Sequence, residues 1–237
     1  MRKRLKVRIP QDMSEVTLDQ YQQWERLEKT ESVFLLQKAV QIFCDIPLSV
    51  VNEMNNKQLR KITDALSVIL EKTDYPLIKT FELGGTEYGF EPDFENLSTG
   101  AFLDLSSIDL LKDCKRAATI LYRPITRKSG DQYLVESYEN GKTSDLSAMP
   151  VNIYLGAVFF LLDTLRILEA DLHRYLKEDK QVNQLLKTSS VPGGDGIIRS
   201  TPQLGVTLLN SIRLQHSMWK HFLRSSSTKK REVKSKS

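Results

Sequence analysis

The chain has 237 residues, 40% of them apolar and 27% charged, with a formal net charge of +4. That is enough apolar material for a folded core, and the length fits one large domain or two small ones. The charge is segregated: Arg2, Lys3, Arg4, Lys6 and Arg8 crowd the start, and Arg224, Lys229, Lys230, Arg231, Lys234 and Lys236 face only Glu232 at the end. The stretch between is therefore acidic, which argues against a uniformly basic nucleic-acid binder.

In chain order, Leu5-Lys-Val-Arg-Ile9 alternates apolar and basic residues and predicts a short half-buried strand stopped by Pro10. Pro10 precedes any apolar run, so no secretory signal is expected. Thr17 with Gln20 forms a capping-box pattern, and Val16 with Tyr21 occupies the positions of a hydrophobic staple. Leu18, Tyr21, Trp24 and Leu27 continue at helical spacing. Val33 to Phe43 predicts a second, more apolar helix with Pro47 just past its end. Asn55 and Asn56 can cap a third helix, with Leu59, Ile62, Leu66, Ile69 and Leu70 on one face and Pro76 as its stop.

Phe81 to Tyr88 predicts a hairpin about the Gly84-Gly85 pair, which supplies positive φ for a two-residue turn. Ser98 caps a short helix around Phe102, and Ala117 to Leu121 forms another, ended by Pro124. Gln132 to Tyr138 is strand-like, and Asn140-Gly141 signals a turn. After Pro150 comes the strongest helix, apolar on nearly all sides to Leu162 and then amphipathic through Leu165, Leu168, Leu172 and Leu176. The longest charge-free run, Leu146 to Leu162, falls short of the ~20 apolar residues of a membrane span.

The composition changes after Lys187. Residues 188–203 read as a flexible linker opening on Thr-Ser-Ser-Val-Pro-Gly-Gly-Asp-Gly, and residues 204–237 as an amphipathic helix with a basic tail. The expected fold is mainly α, of α+β class. A helical body over 1–187 carries one or two small hairpins and tethers a C-terminal helix.

Candidate chemistry is sparse. Cys44 and Cys114 form no CxxC pair and read as buried hydrophobes in a reduced setting. His216 and His221 lie about 140° apart on a helix, which is poor geometry for one metal, and His173 reads as solvated. The Gly-rich segment 191–196 lacks the Lys-Ser/Thr and the strand–helix frame of a phosphate loop. Glu91 and Asp93 are near-neighbour acids of a common kind. No nucleophile–base arrangement can be assembled, so no catalytic, cofactor or metal site is expected.

Candidate binding residues fall at the C-terminus. Leu208, Ile212, Trp219 and Phe222 share the apolar side of the last helix, with Lys229, Lys230 and Arg231 behind them. Aromatics beside cations can stack on nucleic-acid bases, fill a partner's groove, or cover the chain's own core. The basic ends can meet phosphate or an acidic partner, or serve only to solubilise.

Five blocks, in order, resemble a known family. They are Thr17-Leu-Asp-Gln-Tyr with the helix through Ile46-Pro47; Tyr88-Gly-Phe-Glu-Pro-Asp-Phe; Leu121-Tyr-Arg-Pro-Ile; Tyr133-Leu-Val-Glu-Ser-Tyr; and Met149-Pro-Val with the apolar helix to Leu162. Together they resemble small proteins from the structural modules of tailed bacteriophages, similar to tail or baseplate assembly chaperones. The resemblance covers residues 1 to about 180. It implies a non-enzymatic role in virion assembly in the host-cell cytoplasm, with no cofactor. The implied partners are tape-measure, tail, baseplate or connector proteins, with further copies of the chain and weak DNA contact through the basic ends also open. Two rival readings stand beside it. One is a permanent virion component such as a connector, ring, baseplate or cargo protein. The other is a nucleic-acid-binding protein.

Overall fold

The computed structural model describes residues 6–28, 32–72, 74–91 and 97–178. Among them are seven α-helices and a four-stranded antiparallel sheet, an α+β fold. A one-turn 3-10 helix, Met13–Glu15, precedes α1 (Leu18–Glu25). Thr17 and Gln20 form the expected reciprocal cap, and Val16 and Tyr21 are both buried, as a staple requires. α2 (Val33–Phe43) starts at Ser32, whose hydroxyl accepts from Leu35 N–H. Its buried face, Leu35, Ala39, Val40 and Phe43, meets α1 through Trp24, whose ring lies 5.5 Å from that of Phe43.

α3 (Leu48–Asn52) is a five-residue helix started by Pro47, too short to show a period in sequence. α4 (Asn56–Leu70) carries the second capping box, Asn55 with Gln58, and packs on α2. Leu59, Ile62 and Leu66 are buried there. Helix α4 ends at Leu70, ahead of Pro76, where Glu71 adopts the capping position.

The sheet runs in the order β1-β2-β3-β4. β1 (Thr80–Leu83) and β2 (Thr86–Phe90) turn at Gly84 and Gly85, with φ of 59° and 80°, the left-handed pair that a tight hairpin needs. The chain then crosses through α5 (Thr99–Ser107), capped by Ser98, and α6 (Cys114–Leu121). β3 (Tyr122–Ser129) and β4 (Gln132–Val135) return as a second hairpin. Residues 122–124 of β3 pair with 88–90 of β2, joining the hairpins into one sheet.

Three expectations are corrected. Pro124 does not merely end a helix but lies inside β3, one residue before a register shift at Ile125–Arg127. Proline has no N–H to offer the ladder and is tolerated beside such an irregularity. Residues 6–9 form no strand, although Val7 and Ile9 turn toward the core in the alternation foreseen. Alternation orients side chains but does not supply a pairing edge. The strand expected over 132–138 stops at Val135.

α7 (Val151–Glu178) runs against the 3-10 turn, α1 and α6. Val151 N–H donates to Val16 O at 2.9 Å and Leu18 N–H to Met149 O at 2.8 Å, so the chain before α7 clasps the start of α1. Val151, Tyr154, Leu155, Val158 and Leu162 are buried in the common core, whereas Phe160 is 40% exposed. Gly156 sits against the backbone of residues 75–76, where a Cβ would come within 2.3 Å of Pro76 O. No helix among the described residues is long and apolar enough to cross a membrane.

Candidate functional site

Strands β2, β3 and β4 bring residues 88–90, 122–129 and 132–135 into one sheet, and alternation sorts them onto two faces. Phe81, Tyr88, Phe90 and Tyr122 line the face turned to the core. Phe81 stacks on Tyr88 with ring centroids 5.4 Å apart, and Tyr122 meets Phe81 and Phe90 edge-on at 5.3 and 5.5 Å. The Tyr122 hydroxyl lies 2.8 Å from Ile78 O and 3.3 Å from Ile153 O, tying the sheet to α7. Burial pushes its phenol well above the ordinary range.

On the opposite face Gly89 is required by its neighbour. A Cβ there would lie 2.5 Å from Cε2 of the Tyr133 ring. That ring crosses the glycine and sends its hydroxyl to Phe90 O at 2.8 Å. Arg123, paired in register with Gly89, forms an ion pair with Glu91 in which both side chains are largely buried. Desolvation lowers the Arg123 pKa and the charge of Glu136 opposes it. Glu136 in turn meets Lys142 at 3.1 Å. Tyr138 lies over Gly100 and hydrogen-bonds Asp104, which also pairs with Arg116 at 3.4 Å.

A second polar group joins α1 to α6. Gln22 Oε1 accepts Lys115 N–H at 2.9 Å, Lys115 Nζ reaches Asp19 at 2.6 Å, and Arg26 pairs with Asp113 at 2.6 Å. The Lys115 hydrogen bond is the main cause that lowers the Asp19 pKa. Cys114 is buried beside Gln22, and burial pushes its thiol up to about 12. Burial alone pushes Cys44 up to about 11. Neither thiol is held as a thiolate, the form that nucleophilic or metal-binding chemistry uses.

Among the described residues no group of three or more His, Cys, Asp and Glu is placed to hold a metal ion. His173 falls on α7. Of the acids singled out in sequence, Glu91 is the partner of Arg123, while Asp93 lies outside the described residues. Outside them also lie His216, His221 and the candidate binding set Leu208, Ile212, Trp219, Phe222, Lys229, Lys230 and Arg231. From the basic N-terminus, Arg8 pairs with Glu15 at 3.0 Å on the surface.

The structure adds candidates that sequence reading did not single out. Val33 and Phe34 on the first turn of α2, Phe102 and Leu103 on α5, Leu134 on β4, and Phe160 and Ile167 on α7 are exposed apolar side chains. On α2 a signal existed: the face bearing Leu35, Ala39 and Ile42 leaves Val33 and Phe34 to one side. The two aromatic and aliphatic neighbours on α5 cannot both face inward either.

No family model matches the chain, and neither a curated protein nor a solved structure matches it.

Proposed function

We propose that this chain is a non-enzymatic assembly protein of a tailed bacteriophage, acting as a tail or baseplate assembly chaperone that binds other structural proteins. The reading starts from the five resembling blocks, and one observation carries it further. Although far apart in sequence, the described parts of the blocks touch one another, and Tyr88, Phe90, Tyr122 and Tyr133 are engaged in packing. Thr17 bridges to Pro150, uniting the first block with the last. β2, β3 and β4 bring the middle three together, and the Tyr122 and Tyr133 hydroxyls bind backbone carbonyls rather than facing an open cleft. Residues arranged in this way define a scaffold, and binding is then left to surfaces outside them.

In this reading the protein works in the host-cell cytoplasm during assembly, on tape-measure, tail, baseplate or connector proteins, without a cofactor. Quantitative mass spectrometry of purified particles from infected cells tests it. A chaperone is absent from the particle or far below one copy per symmetry unit, while abundant in the lysate. An integral copy number in the particle refutes the chaperone role and makes the chain a permanent virion component. Capture of DNA with a steep salt dependence, and of no structural protein, overturns both in favour of nucleic-acid binding.

A further inference from the structure

No further inference is drawn: the strongest candidate, the exposed apolar flank of α7 at Phe160 and Ile167, carries none because nothing in the structure shows what covers it.

Discussion

Gly156→Ala sets two physical effects of opposite sign against each other. In an ordinary helix interior the change stabilises, because alanine exceeds glycine in helix propensity by about 1 kcal/mol. Gly156 is not in an ordinary position. A methyl group there would stand 2.3 Å from Pro76 O, 3.0 Å from Pro76 C and 3.4 Å from Tyr75 O. All three atoms are backbone, so no rotamer change relieves the contact. Either α7 or the segment leading from α4 to β1 must shift. Tyr75 also stacks on Phe159 of α7 at 6.0 Å, so a shift disturbs that contact as well. Overpacking of this kind costs about 1–3 kcal/mol. With an overlap near 1 Å the upper part of that range applies, and subtracting the propensity gain leaves a net loss of about 2 kcal/mol. For a chain of this length the midpoint should fall by about 4–8 °C. Thermal and urea melts of the full chain, followed by circular dichroism and by tryptophan fluorescence, measure it. Both probes should give one coincident transition in each protein. A Gly156→Ala protein as stable as the parent, or more stable, would falsify the close approach of α7 to residues 75–76.

Gly89→Ala should also destabilise, but its obstacle is the Tyr133 side chain, so in a Tyr133→Ala background the glycine change should cost at least 1 kcal/mol less; equal costs in the two backgrounds refute the packing of that ring on Gly89. Val158→Asp, at a fully buried position, should leave the protein unfolded or insoluble, whereas Phe160→Asp, at 40% exposure, should remain soluble and fold cooperatively; the reverse pattern in expression and melting assays would mean that the face of α7 is assigned wrongly. The two buried thiols should react slowly with an aromatic disulfide reagent at pH 8 and rapidly in denaturant. Their folded pKa values are raised, so their contribution to stability is complete below the unfolded thiol value of ~8.5 and disappears as pH climbs toward about 11 for Cys44 and about 12 for Cys114. Fast labelling of the native protein would refute their burial.

Local chemistry made much of the fold legible. Helix starts are set by a side chain and a backbone N–H only a few residues away, so Thr17 with Gln20, Asn55 and Ser98 mark their helices in sequence, while the Ser32 cap and the Gln58 half of the second box came from the structure. The Gly84-Gly85 turn is likewise local, since φ alone demands it. What escaped depends on distant partners. Tyr122 becomes a strand because Phe90 offers an edge, and Pro124 is accommodated because β3 shifts register beside it. Val7 and Ile9 alternate as a strand would, but no pairing edge meets them among the described residues. The close approaches at Gly89 and Gly156 involve residues far along the chain, so neither glycine stood out from its apolar neighbours. As for the site, the C-terminal candidates lie outside the described residues, and the exposed apolar residues of α2 and α5 are masked in sequence by the core positions beside them.

The arrangement of the blocks decides which variants can probe function. Tyr88, Phe90 and Tyr122 are buried in one aromatic cluster, and Arg123 is bound to Glu91 in a largely desolvated ion pair. Removing one partner of a buried ion pair costs about 3–5 kcal/mol, comparable to the whole stability of many domains. Loss of partner binding on changing Arg123 or Tyr122 therefore reports on folding, however suggestive the motif. Phe102, Leu103 and Phe34 behave differently. Each is more than half exposed, so replacement by a polar residue removes little buried area from the folded chain. A variant at these positions that keeps its melting midpoint and loses a partner isolates binding from stability. Binding can be probed at such exposed positions without confounding it with stability, and the motif residues serve as controls for the fold.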